Sequence, residues 1–206
     1  MKSNFEDDLK KEQYLGEYLD TIYSDVFKDF KIERKLDSIS QNNGIDLIIS
    51  KDELKFNIDE KAQLDYLNLD LPTFAFEISY IKDNLQKLGW LYDKSKITDK
   101  YFLITGIFLN DEHDIKKGFK SCKIISVDRA KLILFLKSRG LNFEKILEIN
   151  HSIRNGTQEK NIFISELDSR LEGKMYYSKN NKAEMPINLV LYLDFLLKTK
   201  IAKKVH

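Results

Sequence analysis

The stretch GIDLIISKDELKFNIDEKAQ, residues 44–63, sets Asp46 at the head of one apolar run and Asp59, Glu60 and Lys61 at the tail of the next. Two aspartates and a lysine are a chemically capable set. Carboxylates are hard oxygen ligands of the kind that a partly hydrated Mg²⁺ or Mn²⁺ takes. A lysine beside such an ion can orient a water or stabilise charge that builds up on a phosphoryl group. Strand side chains alternate, so Asn57, Asp59, Lys61 and Gln63 share one face, while Phe56, Ile58 and Ala62 share the other. Asp46 lies thirteen residues before Asp59, a separation suited to a hairpin that brings the two carboxylates together. The rival reading is plain: Asp46 or Asp59 pairs with Lys61 on a wetted sheet face, a contact worth at most about 1 kcal/mol.

The elements that must position these residues can be read around them. Leu15, Leu19, Ile22 and Val26 fall at helical spacing and predict a helix over residues 5–29, with Asn4 as its cap and Glu6, Asp7 and Asp8 in its first turn. SQNNG (40–44) reads as a turn, IDLIIS (45–50) as a buried strand, KDE (51–53) as a turn and LKFNIDEKAQ (54–63) as a strand. TFAFEISY (73–80), YFLITGIFL (101–109) and CKIISV (122–127) are further strands. Asp128 reads as the cap of a helix through about Ser138, closed by Gly140, and a second helix follows around 141–150. Residues 170–186 read as a hairpin or long loop, and INLVLYLDFLLK (187–198) as an apolar helix. The order predicts an α/β fold with a mixed central sheet flanked by helices. It is read as one domain over residues 1–206, with a core at about 5–140 and a helical C-terminal extension at about 141–206.

Composition bounds the class. The chain is 42% hydrophobic and 33% charged, which supports a sizeable core under a polar surface. Its single cysteine, Cys122, excludes an intrachain disulfide and fits a reducing compartment. MKSNFEDDLKK is too acidic for a signal peptide, and no apolar run approaches the ~20 residues of a bilayer span, so the expected location is cytoplasmic and off the membrane. The net charge of +1 conceals an asymmetry. Residues 1–80 carry 10 Lys and Arg against 18 Asp and Glu, and residues 81–206 carry 24 against 15. Carboxylates for a cation in one half and cations for phosphate in the other would suit a polyanion-binding protein. Sheet and helix faces that simply differ in charge would give the same count.

Asp46, followed by Asp59 and Lys61 on the next strand, after an acidic helix, resembles the PD-(D/E)XK nuclease superfamily, the restriction-endonuclease-like fold. QNNGID, IDEKAQ, TFAFEIS and GWLYDKSKITDKYFLI also look like uncharacterised nuclease-like proteins of bacteria and phages. Ile45 stands where the family's motif has proline. The resemblance implies that Asp46 and Asp59 bind Mg²⁺ or Mn²⁺, that the Glu60 carbonyl adds a ligand, and that Lys61 assists water attack on a phosphodiester. It implies a nucleic-acid partner, above all DNA, and a homodimer is compatible with it. A member of such a fold that has lost catalysis, and only binds nucleic acid or protein, is the alternative.

Further candidates follow, each with a bland counterpart. Glu17, in EQYLGEYLD, sits where the family often supplies an extra acid, with Glu12 and Asp20 competing for the role or lying on a solvated helix face. Gln63 could hold the attacking water, or be an ordinary strand-end polar residue. Glu77 lies between apolar neighbours, where a carboxylate is costly unless paired or bound to a cation, and is a candidate metal ligand. Trp90 could stack on a base, or pack in a core. His113, His151 and His206 lack metal-ligand spacing, and no phosphate-cradling glycine motif exists.

Overall fold

Leu15, Leu19 and Ile22 are buried along one side of α1 (Phe5–Val26), as their spacing requires. The stripe continues to Tyr23 rather than to Val26, which is exposed in the last turn. These contacts come from a computed structural model, which describes residues 5–156, 160–179 and 183–206. The expected cap Asn4 lies outside the described residues. By its contacts the chain divides into two compact units. One comprises Met1–Leu71, Thr98–Val127 and Lys203–His206, the other Pro72–Ile97 and Asp128–Ala202.

The first unit holds a six-stranded mixed sheet. β1 (Lys31–Arg34), β2 (Leu47–Lys51) and β3 (Leu54–Ala62) form an antiparallel meander. β6 (Lys100–Leu109) then lies parallel to β3, and β7 (Phe119–Asp128) and β11 (Ala202–Lys204) complete the order β1-β2-β3-β6-β7-β11. The turn between β2 and β3 is tight, with Asp52 at φ 54°. Ahead of β2, SQNNG is not only a turn: Asp37 caps a short helix α2 (Ser38–Asn42), and Gly44 follows at φ 72°, a conformation that suits glycine. α1 packs on one face of this sheet. Leu15, Leu19, Ile22 and Tyr23 join Leu47, Ile49, Ile58, Phe102 and Ile104 in one buried cluster. Cys122 belongs to that cluster, and burial pushes its thiol up to about 11, as befits a core residue rather than a nucleophile.

The second unit holds a five-stranded sheet in the order β5-β4-β10-β9-β8. Its strands are β4 (Thr73–Lys82), β5 (Leu85–Leu88), β8 (Lys160–Ile162), β9 (Gly173–Tyr177) and β10 (Ile187–Tyr192), all paired antiparallel. Three helices belong to it: α3 (Arg129–Ser138), α4 (Phe143–Asn155) and α5 (Leu193–Lys198). Asp128 caps α3 through the Lys131 N–H at 3.0 Å, and Asn142 caps α4 through the Lys145 N–H at 2.8 Å.

The α/β class with a mixed, helix-flanked sheet therefore holds, with two corrections. Residues 73–80 form a strand of the second sheet, not of the mixed one. The C-terminal region is not a helical extension: residues 160–204 contribute four strands and one short helix, and residues 187–198 are half strand, half helix. No helix among the described residues is long and apolar enough to cross a membrane.

Candidate metal centre

Asp46 immediately precedes β2, and three hydrogen bonds fix it there. Its N–H donates to the Ile58 carbonyl at 2.9 Å, and its carbonyl accepts from the Lys35 N–H at 2.8 Å. Its Oδ2 accepts from the Glu60 N–H at 2.8 Å. Leu47 pairs with Ile58 in the antiparallel register, so Asp46 stands opposite Asp59, one step beyond the ladder. Directly opposed residues share a face.

The electrostatics of the pair follow from that geometry. Burial, then the Asp59 charge, pushes the Asp46 carboxyl up to about 6, against the opposing pull of Lys61 and the Glu60 N–H. Asp46 is thus protonated more readily than an ordinary aspartate. Asp59 is only 2% exposed and forms an ion pair with Lys61, two residues along the same strand face. This is the ion pair of the rival reading, with one difference. It lies on a buried aspartate, not on a wetted face. Across the parallel pairing, Asp59 and Lys61 are matched with Tyr101 and Leu103, both fully buried. Two residues beyond Leu103, the Thr105 hydroxyl is buried with no hydrogen-bond partner among the described residues.

Glu60 turns the other way. On the α1 face of β3, its Oε1 accepts from the Tyr23 hydroxyl at 2.5 Å and its Oε2 from Arg34 Nη1 at 2.5 Å. Arg34 also grips Asp20, from Nε at 2.9 Å and from Nη2 at 2.7 Å. Burial works against the guanidinium charge, but the hydrogen bonds and charges of Asp20 and Glu60 outweigh it and hold Arg34 above its ordinary range. Burial and the Glu60 charge raise the Tyr23 phenol as well. The side chain of Glu60 is thus committed to this network. Its backbone N–H points at Asp46, and its carbonyl lies on the same edge of the strand.

The sequence candidates separate accordingly. Asp46, Asp59 and Lys61 are brought together. Glu17 is exposed on α1, accepts from Gln13 at 3.3 Å, and belongs to the helix that covers the face away from the aspartates. Asp20 is taken by Arg34. Gln63 follows β3, its N–H bound to the Ile104 carbonyl at 3.0 Å. Glu77 lies on β4 in the second sheet, paired in register with Asn188, and so is not on the sheet that carries the two aspartates. Trp90 packs on Phe76 with ring centroids 5.4 Å apart. Reading the sequence missed Arg34 and Tyr23, whose partners lie 14 to 37 residues away along the chain and leave no local pattern.

Among the described residues, no group of three or more His, Cys, Asp or Glu side chains could hold a metal ion. The donors offered are two carboxylates and one backbone carbonyl. That set fits an ion such as Mg²⁺, which retains several waters and takes one or two carboxylates. Two opposed buried carboxyl groups are also an arrangement that a cation relieves. Comparisons of the chain with protein-family models, with curated proteins and with solved structures found no match in any of the three.

Proposed function

We propose that this protein is a metal-dependent phosphodiesterase acting on DNA, on a restriction-endonuclease-like core formed by α1, the β1–β2–β3 meander and β6. The observation that carries the reading is the opposition of Asp46 and Asp59 across β2 and β3, with Lys61 on the same face. Asp46, Asp59 and the Glu60 carbonyl would hold Mg²⁺ or Mn²⁺. When bound, such an ion polarises a phosphoryl oxygen and lowers the pKa of a bound water.

The chain's own residues do the rest. Asp46 would hold the ion as a carboxylate, so loading would compete with the protonation that burial and the Asp59 charge favour. Lys61, the counter-ion of Asp59, would place its ammonium to stabilise the negative charge that grows on the phosphoryl oxygens. The burial of Asp59 keeps these charges in a low dielectric, where each counts for more.

A second reading is favoured by one observation: Lys61 already neutralises Asp59, and no third carboxylate joins the pair among the described residues. On that reading the fold binds nucleic acid or protein without cleaving. One experiment separates the two. Supercoiled plasmid and a labelled duplex are incubated with Mg²⁺ or Mn²⁺ and with EDTA. Cleavage that needs the ion and is lost in Asp59→Asn supports hydrolysis; binding without cleavage in any of the conditions supports the second reading.

A further inference from the structure

The second unit carries a cavity of about 490 Å³, bounded by Tyr92, Lys94, Arg129, Lys137, Phe143 and Glu144. That volume is in the range of small-molecule sites. From its chemistry we infer that it is a binding site for a nucleoside monophosphate unit, a planar aromatic base carrying a phosphate.

Two features point there. The first is an aromatic corner held rigid. Tyr92 is 6% exposed, and its hydroxyl donates to the Leu141 carbonyl at 3.1 Å, which fixes the ring. The Phe143 ring stands beside it, centroids 6.0 Å apart and planes at 43°. A base can lie against such walls whatever its sequence identity, because every base has a π face.

The second is uncompensated positive charge. Lys94, Arg129 and Lys137 converge on a cavity with a single carboxylate, Glu144, and none of the three forms an ion pair among the described residues. Lys94 lies over the Phe143 ring, 5.0 Å from its centroid. Arg129 is locked by the carbonyls of Lys96 at 3.0 Å and Asp93 at 2.9 Å, so its charge cannot swing away into solvent. Three gathered cations repel one another, and an anion in the cavity removes that repulsion. Aromatic walls select a flat group and the cations select a charged one; a nucleotide has both.

The site is independent of the aspartates, so it is tested by binding, without any cleavage. Calorimetric titration in EDTA at low salt is carried out with AMP, adenosine and inorganic phosphate. AMP is expected to bind with a sub-millimolar Kd, and adenosine and phosphate each at least tenfold more weakly, because each supplies one half of the match. Raising the salt should weaken AMP and leave adenosine unchanged. Lys94→Glu and Lys137→Glu alter exposed side chains, keep the fold, and should each lower AMP affinity at least tenfold. Phe143→Leu should cost AMP affinity and spare phosphate; if it fails to fold, the two lysine variants still decide. A 5′-phosphorylated tetranucleotide that binds at least tenfold more tightly than AMP assigns the site to a strand end, and equal affinities assign it to a free nucleotide. Asp59→Asn should bind AMP like the wild type, so a failed nuclease reading leaves this inference standing. AMP binding no tighter than phosphate, or indifferent to both lysine variants, overturns it.

Discussion

Asp46 and Asp59 stand opposite each other where β2 meets β3, and burial together with the Asp59 charge holds the Asp46 carboxyl above the usual carboxylate range. The ionised form of Asp46 is therefore less favourable than that of an exposed aspartate. That single relationship generates most of what can be measured on the site.

The first prediction concerns pH. Asp46 titrates at about 6 in the folded chain, against 3.8 for an ordinary aspartate. Its folded pKa is raised, so its contribution to stability is fully present below about pH 4 and is lost as pH rises through 6. Melting temperature of the metal-free protein should therefore carry a downward component between pH 4 and 7. Asp46→Asn keeps an acceptor for the Glu60 N–H and cannot ionise. It should melt higher than wild type at pH 8 and much the same at pH 4. Equal wild-type and variant melting at both pH values would show that the carboxyls do not repel.

Added Mn²⁺ should reverse that loss. At pH 8, melting temperature should rise with Mn²⁺ concentration in the wild type, by the linkage expected of any ligand that binds only the folded state. Asp59→Asn should abolish the rise and the cleavage together. Retention of both would mean that Asp59 is not a ligand.

Lys61→Met removes the counter-ion of a buried aspartate and preserves the apolar stem. Without metal it should destabilise by about 1–3 kcal/mol, the cost of leaving a buried charged acceptor unsatisfied. With saturating Mn²⁺ much of that loss should return, while turnover falls by roughly 10²-fold or more. Denaturant midpoints with and without the ion, together with a cleavage rate, check both halves. A stability loss that Mn²⁺ does not touch favours the plain ion pair.

Arg34→Met should be the most damaging change in the first unit outside its apolar core. It strands Glu60, whose side chain is 12% exposed, and breaks the tie to Asp20. A loss of about 3 kcal/mol is expected, toward the low end for breaking a buried pair because Arg34 itself is 22% exposed. Arg34→Lys keeps the charge without the fork that serves two carboxylates, and should fall between. A midpoint for Arg34→Met within about 0.5 kcal/mol of wild type, the range of an ordinary surface change, would remove the network from any structural role.

The hairpin was legible because period-two alternation and a short turn leave little freedom, and they determine which side chains meet. The cap at Asp128 was legible for a similar reason: a short polar residue before a helical run has a local partner, here the Lys131 N–H. Residues 187–198 misled. Ile187, Leu189 and Leu191 are buried in alternation, but two of the intervening positions, Val190 and Tyr192, are apolar too, so content hid the period. The second sheet was hidden for a different reason. The chain passes between the units at residues 71–72, 97–98, 127–128 and 202–203, and none of these crossings carries a linker composition. Arg34 had no signature at all, since Asp20 and Glu60 become its neighbours only once α1, β1 and β3 have assembled.

That same interlacing sets the timetable of assembly. Phe76 on β4 waits for Leu189 on β10, more than a hundred residues later, and β7 waits for the N–H of Val205 to reach the Ile124 carbonyl. Contacts so distant along the chain make folding slow, because a long loop must close before any of them forms. During synthesis the second sheet lacks β10 until the chain has passed residue 192, and the first lacks β11 until it has passed residue 204. Until those points β4 and β7 respectively expose an unpaired edge, so a growing chain would be most prone to mispairing late, after nearly all of its sequence has emerged.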